Sequence, residues 1–251
     1  MLNKPVILYW IRRDMRISDN PALIEAVNSG ALVVPVFIYD EWFSELGAAP
    51  KFRLEKSLLS LQKQYEGLGS YLLIKKGPAG SILRDLIKET RATSVVWARD
   101  LDPKAIARDS EIKKDLKAQG ISVKSFRGQV LFEPWTVSTK TGGFYRVYTP
   151  FWNSVRDRDV ERSLQSPKSV SSPSLRPSTL SVGDLNLGNN MSRGRKILSQ
   201  YVEAGELAAQ TKLRKFLDGP VVNYADDRNI PQINGTSLLS DHLAWGEISP
   251  N

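Results

Sequence analysis

Five short apolar runs, separated by segments with helical periodicity, fill the first half of the chain. The runs are rich in Val, Ile and Leu, and such continuous runs are typical of strands buried on both faces of a sheet. Four helix-patterned segments lie between them. This order predicts an α/β fold, a five-stranded doubly wound parallel sheet of the Rossmann-like kind. The predicted strands are residues 6–11, 31–39, 70–76, 94–98 and 121–126.

The pattern changes after Gly128, and we divide the chain accordingly. Residues 1–130 form the α/β domain. Residues 131–191 form a long interdomain loop, in which Ser163 to Ser181 has the Ser- and Pro-rich composition of a linker. Residues 192–251 contain three amphipathic helices and no strand. Because a helical unit of about 60 residues is marginal alone, we expect this last part to be the truncated beginning of a larger helical domain.

Composition excludes several classes of site. The chain has no cysteine and one histidine, His242, which leaves no disulfide, thiolate metal site or multi-histidine site. We therefore predict no metal. The 35 Lys and Arg residues outnumber 27 Asp and Glu residues, a net charge of +8 that suits a nucleic acid partner without proving one. No apolar run approaches the roughly 18 residues of a membrane span, so we expect no membrane contact and a cytoplasmic protein.

Charged residues follow the predicted strands at their carboxyl ends, where open α/β sheets bind ligands. With a strand order of three, two, one, four, five, the residues after strands one and four would line one crevice. The glycine patterns of a dinucleotide fingerprint and of a P-loop are both missing, so we expect no dinucleotide of the Rossmann type. From spacing alone, ion pairing is favoured over a site, with Asp19 or Asn20 capping a helix that starts at Pro21. The charged residues of the crevice are Arg12, Arg13, Asp14, Arg99, Asp100 and Asp102, with Asp40 close by.

Four segments together resemble the DNA photolyase/cryptochrome family, in family order from Tyr9 to Pro250. The resemblance is to the N-terminal portion of deoxyribodipyrimidine photolyase-like proteins. It implies an α/β domain that can carry an antenna chromophore and a helical domain that binds FAD. The segments are YWIRRDMRISDNPAL, VPVFIYD, YRVYTPFW and NYADDRNIPQINGTSLLSDHLAWGEISP.

The resemblance implies light-dependent repair of cyclobutane pyrimidine dimers by electron transfer from reduced FAD, with UV-damaged DNA as partner and the protein a monomer. In the full-length enzyme this is a lyase reaction, whereas the 251-residue chain by itself is expected to be inactive. We assign no catalytic residue, His242 included. Two alternatives stay open: a cryptochrome that signals without repair, and a non-catalytic α/β binding module with a vestigial helical tail.

The resemblance assigns binding residues near the end of the chain. Arg228 matches a position that contacts the DNA backbone in photolyases. Leu238 and Asp241 depart from the family, which usually has Arg and Pro there. Without the resemblance, the same segment would be a plain helix start capped by Thr236 or Ser237. The residues matching the FAD-contacting segments are Tyr224, Thr236, Ser237, Leu238, Leu239 and Ser240.

The antenna prediction favours a deazaflavin-type chromophore over a folate. Folate-binding relatives carry an Asn-Glu pair where this chain has Lys104 and Ala105. Asp40, Asp100 and Asp102 match acidic residues of deazaflavin-binding relatives, although Ala244 replaces a lysine found in some of them.

For two further groups of residues, the sequence allows two roles each. For Arg12, Arg13 and Asp14 we favour a role in joining the two domains over a role at the antenna. For the aromatic residues between Phe144 and Trp152 we favour burial at a domain interface over base stacking.

Overall fold

A computed structural model of the chain describes residues 4–251 and contains the predicted parallel sheet. The strand order is β3-β2-β1-β4-β5, and every neighbouring pair is parallel. The predicted fold class is confirmed. The order reverses between β1 and β4, which is the place where this type of sheet forms a crevice. The strands are β1 Val6–Ile11, β2 Leu32–Tyr39, β3 Leu73–Lys76, β4 Ser94–Ala98 and β5 Ser122–Phe126.

Helices cover both faces of the sheet. One core packs β1 and β2 against the helices that follow them and includes Tyr9 and Phe37, and the other includes Trp10 and Leu83. The first helix begins as predicted, because the Asn20 side chain accepts a hydrogen bond from the Leu23 amide at 3.1 Å. The short second helix was not predicted from the sequence. These helices are α1 Pro21–Asn28, α2 Glu41–Ser44, α3 Ala48–Gly67, α4 Ala79–Thr90 and α5 Pro103–Ala118.

The Ser- and Pro-rich part of the interdomain loop lies bound against the α/β domain. The Val33 amide donates to the Ser171 carbonyl oxygen at 2.7 Å, and the Leu180 amide donates to the Ile74 carbonyl oxygen at 2.9 Å. Val182 is buried in the core on the α1 and α3 side. Backbone pairing and apolar anchors therefore hold this segment, so it does not act as the free linker that its composition suggests.

The last part of the chain is helical, but its helices are shorter than predicted. The segment from Thr236 onward was expected to form one helix, yet only five of its residues do. Leu238 has a φ of 51° and Gly246 a φ of 63°, and a right-handed helix cannot pass through either conformation. No helix within residues 4–251 combines the length and hydropathy needed to cross a bilayer. The remaining helices are α6 Tyr148–Val155, α7 Arg193–Leu198, α8 Glu206–Leu217, α9 Tyr224–Asp227 and α10 Ser240–Ala244.

Candidate functional site

The charged residues after β1 and β4 meet at the switch point, and they form ion pairs inside the α/β domain. Arg12 is buried, pairs with Asp109 of α5 and donates to the carbonyl oxygen of Ala98. Arg13 pairs with Asp100 at 2.7 Å. These side chains therefore pair with each other, as the ion-pairing interpretation predicts, and a cavity of about 180 Å³ remains beside Arg99, Asp100 and Asp109.

Asp14 belongs to a buried hydrogen-bond network beneath the same crevice. It accepts from the Tyr9 hydroxyl at 2.5 Å and from the Arg12 amide at 2.9 Å. Burial, followed by the charge of Asp14, raises the pKa of Tyr9 well above its ordinary value. Asn20, whose side chain also caps α1, donates to the Tyr9 hydroxyl. Asp14 thus fixes the turn between β1 and α1.

Other residues connect the α/β domain to the helical part, so the prediction that Arg12, Arg13 and Asp14 join the domains is wrong for their side chains. Arg16 donates to the carbonyl oxygen of Gly246 at 3.1 Å. The buried carboxylate of Glu206 accepts from the amides of Ile17 at 2.8 Å and Ser18 at 2.9 Å. The side chains of Arg12, Arg13 and Asp14 bind partners within the α/β domain, whereas residues 15–18 of the same turn contact the helical part.

A buried ionic cluster between α3 and the end of the chain forms the centre of this junction. Arg53 pairs with Glu247, and Glu247 also accepts from the Ser57 hydroxyl at 2.5 Å. His242 is buried, and its Nδ1 atom lies 2.6 Å from a carboxylate oxygen of Glu247. Sequence analysis missed this cluster. A usable signal was the charged Arg53 between Phe52 and Leu54 on the buried face of α3.

A cavity of about 330 Å³ opens at the carboxyl ends of β2 and β3, and we call it the ring cavity. Tyr39, Asp40, Trp42 and Arg108 are among the residues that line it. Asp40 is buried and pairs with Arg108, but its Oδ1 atom has no hydrogen-bond partner among residues 4–251. Burial raises the pKa of the Asp40 carboxyl above its ordinary value although the Arg108 charge opposes this. The cavity thus presents two aromatic side chains beside a buried Asp40–Arg108 ion pair.

The other two predicted antenna residues lie elsewhere. Asp100 pairs with Arg13, and although burial raises the pKa of Asp100, the Arg13 hydrogen bond and charge lower it overall. Asp102 caps α5 by accepting from the amides of Lys104 at 2.9 Å and Ala105 at 3.2 Å. Of the predicted trio, only Asp40 lines the ring cavity.

The residues matched to FAD contacts lie near α9 and α10, where Leu239 is buried and the others are at least partly exposed. Tyr224 packs edge-on against Phe216 with ring centroids 5.8 Å apart, and the Arg228 guanidinium lies 5.7 Å from the Tyr224 ring centroid. Because Leu238 has a positive φ, α10 begins at Ser240 and not after Thr236. The expectation that Thr236 or Ser237 caps a helix is therefore wrong. Thr236, Ser237 and Ser240 are left with side-chain hydroxyls that can bind a ligand phosphate.

The aromatic residues between Phe144 and Trp152 are largely exposed within residues 4–251. Tyr148 is 70% exposed and Trp152 is 46% exposed. Their rings stack with centroids 6.4 Å apart and an interplanar angle of 6°. The burial that we expected for this segment is not provided by the part of the chain that the structure describes.

Comparison with known proteins relates the whole chain to one family. The family profile described as DNA photolyase matches residues 7–169. A deoxyribodipyrimidine photo-lyase from Agrobacterium fabrum is 42% identical over 98% of this chain and 51% of its own length. Cryptochrome-1 from Arabidopsis thaliana is 31% identical over 96% of this chain and 36% of its own length.

The fold agrees with these sequence relationships. The crystal structure of a bacterial class III photolyase from Agrobacterium tumefaciens matches with a TM-score of 0.93 and 39% sequence identity. The match covers 100% of this chain and 52% of the photolyase chain. The chain thus spans about half the length of the photolyases to which it is compared.

Proposed function

We propose a function from the premise that this chain belongs to the DNA photolyase family. The proposed function is light-dependent repair of cyclobutane pyrimidine dimers in UV-damaged DNA by a monomeric flavoprotein. The family implies FAD as the cofactor. The observation that carries the proposal is the 42% identity to a deoxyribodipyrimidine photo-lyase over 98% of the chain. When bound, a reduced flavin excited by light supplies the electron that splits the dimer.

The surface around α10 supports contact with the phosphates of FAD. Thr236, Ser237 and Ser240 carry hydroxyls, and the positive φ of Leu238 turns the backbone away from helical pairing at this point. Hydroxyl and amide groups that lack internal partners are suited to hold phosphate oxygens. We propose that Tyr224 and Leu239 belong to the same FAD-contacting wall. Arg228, which lies over the face of Tyr224, is proposed to contact the DNA backbone.

The ring cavity supports an antenna chromophore. Its aromatic residues Tyr39 and Trp42 suit a flat ring. Asp100 and Asp102 are proposed to support the antenna site without contacting the chromophore. Asp100 does so through its ion pair with Arg13, and Asp102 through its cap of α5. We propose a deazaflavin-type antenna and not a folate, since Lys104 and Ala105 replace the residues typical of folate sites.

Two other functions remain as alternatives. A cryptochrome-type signalling role is favoured by the 31% identity to Cryptochrome-1 of Arabidopsis thaliana. A non-catalytic binding module with a vestigial helical tail has less support. Buried contacts such as those of Glu206 and Glu247 with the α/β domain are not expected of a tail without function.

A photorepair assay tests the repair proposal. The protein is purified from its source and its intact mass and FAD content are measured. It is then mixed with a UV-irradiated thymine-rich duplex, and dimer content is measured after illumination and after darkness. We expect light-dependent loss of dimers and salt-sensitive binding that favours irradiated over undamaged duplex. A protein that retains FAD but has neither property refutes the repair proposal and leaves the cryptochrome alternative.

A further inference from the structure

A separate cavity lies where the turn after β1, the end of α3 and the start of α8 meet the bound interdomain loop. It has a volume of about 380 Å³, and we call it the junction cavity. It shares no lining residue with the ring cavity. The residues that line it include Ser18, Gln64, Pro167, Glu206, Leu207 and Gln210.

A buried carboxylate lines this cavity without a cation partner. Glu206 is 4% exposed and accepts from the amides of Ile17 at 2.8 Å and Ser18 at 2.9 Å. Among residues 4–251, no lysine, arginine or histidine lines the cavity, and none forms an ion pair with Glu206. Buried charges are normally paired, so the cavity favours a cation.

Glu206 also orients the two glutamine side chains of the cavity. The Nε2 atom of Gln64 donates to Glu206 at 2.9 Å, and the Nε2 atom of Gln210 donates to it at 3.3 Å. With both amide nitrogens engaged, the amide oxygens remain as acceptors. The Oε1 atom of Gln64 is buried and accepts no hydrogen bond from the part of the chain that the structure describes. A ligand with N–H groups would satisfy this costly acceptor.

The other walls of the cavity combine hydroxyl groups with apolar surface. The hydroxyls of Ser18 and Ser166 lie 2.8 Å apart, so one donates to the other and the pair keeps lone pairs for a further donor. Leu207 is 72% exposed, and Pro167 lines the cavity with it. An alkyl chain that ends in a cation would cover Leu207 and place its N–H groups among these oxygens.

A close contact between α3 and α8 holds the cavity in shape. Gly205, directly before α8, has a φ of 98°, and a Cβ atom there would overlap the side chain of Ser60 on α3. The start of α8 is therefore fixed against α3, which sets Glu206 and Gln210 relative to Gln64. A site whose groups are already in position binds without the cost of ordering them.

We propose that the junction cavity binds an alkylguanidinium group. A guanidinium carries five N–H donors in one plane and is less strongly hydrated than an ammonium, so it suits several separate oxygen acceptors beside a buried carboxylate. A free small cation and an arginine side chain of another chain offer the same chemistry. This inference goes beyond the proposed repair function and depends on neither FAD nor an antenna.

Two small molecules of similar shape test the proposal on the purified protein. N-butylguanidinium carries the charge and N-butylurea does not, and binding of each is measured by NMR titration of backbone amides. We expect butylguanidinium to bind at least about tenfold more tightly, with the largest shifts at Ile17 and Ser18. Because the protein carries a net charge of +8, its surface has no general attraction for a cation. Equal binding of the two molecules overturns the inference.

A capped Gly-Arg-Gly peptide distinguishes the two sources of the guanidinium. If the peptide competes with butylguanidinium, the cavity accepts an arginine side chain, which supports the proposal with another chain as the source. If butylguanidinium binds and the peptide does not, the proposal is supported with a free small cation as the source.

A lysine introduced into the cavity tests the location of the bound cation. Gln210→Lys places an ammonium within reach of Glu206, so butylguanidinium should bind at least about tenfold more weakly while the urea midpoint does not fall. Thr211→Lys adds the same charge at the next, exposed position of α8 and should change binding by less than about twofold. Binding that survives Gln210→Lys overturns the inference, because the cation then lies elsewhere. An equal loss in Thr211→Lys also overturns it, because net charge alone would then explain the effect.

Leu207→Ser is a second variant, chosen because this side chain is largely exposed and its loss should leave the fold intact. It removes the apolar surface proposed to contact the alkyl chain. Butylguanidinium should therefore bind about threefold more weakly. Unchanged binding in this variant would show that the alkyl chain does not lie in the junction cavity.

Discussion

The buried carboxylate of Glu247 joins the two parts of the chain, and its neutralisation should strongly destabilise the protein. Glu247 is 0% exposed and binds Arg53, Ser57 and His242. Glu247→Gln keeps the shape of the side chain but leaves the Arg53 guanidinium buried beside a neutral amide. Loss of one partner from a buried ion pair costs about 3–5 kcal/mol. We expect a loss of about 3 kcal/mol in the free energy of unfolding, at the low end of that range because Asp241 still faces Arg53.

Asp241→Asn is the matched control, because Asp241 pairs with the same guanidinium. The two groups are 2.9 Å apart, but the Asp241 side chain is 46% exposed. An exposed pair contributes under about 1 kcal/mol, so this variant should unfold near the wild-type urea midpoint. Urea unfolding at pH 7, followed by circular dichroism, measures both variants with unchanged m-values. Equal losses in the two variants would refute the argument that burial makes the Glu247 pair costly to break.

The same pair of proteins gives a pH test. Burial raises the pKa of Glu247, whereas the hydrogen bond with His242 and the charge of Arg53 lower it. The lowering effects are the larger together, so the pKa of Glu247 lies below its ordinary value of 4.5. A lowered folded-state pKa stabilises the protein fully above 4.5, and this stabilisation is lost as the pH falls through the folded-state pKa. The stability difference between wild type and Glu247→Gln should be constant above about pH 5 and shrink below it. A difference that grows on acidification would contradict the assigned direction.

Three further variants test a close backbone contact and an exposed aromatic surface. Gly246→Ala should cost at least about 2 kcal/mol in urea unfolding, because a φ of 63° strains alanine and its Cβ would overlap the carbonyl oxygen of Arg13. Gly30→Ala, with a φ of 74° but open space around it, should cost only about 1 kcal/mol, and equal costs would show that the contact is unimportant. Trp152→Ser should reduce binding of a hydrophobic dye to the folded protein, because Trp152 and Tyr148 expose a stacked apolar surface. Unchanged dye fluorescence would show that this surface is not the one that the dye recognises.

The sequence by itself determined the class of fold and the local structure around it. Continuous apolar runs are typical of strands buried on both faces, and their alternation with helix-patterned segments indicates a parallel sheet covered by helices. Asn20 followed by Pro21 predicts the start of α1 because capping depends on neighbouring residues alone. The meeting of Arg12, Arg13 and Asp100 at one edge also follows, since parallel strands end on the same side of their sheet.

Only the tertiary structure decided which charged groups bind each other. Arg53 and Glu247 are 194 positions apart, and Arg16 and Gly246 are 230 positions apart. Spacing along a chain carries no information about such pairs, because they form only when distant segments pack together. For the same reason, the sequence alone could not show that Asp40 and Asp100 have different partners. Both follow buried strands, and only the packing of distant segments pairs Asp40 with Arg108 of α5 and Asp100 with Arg13 of the turn after β1.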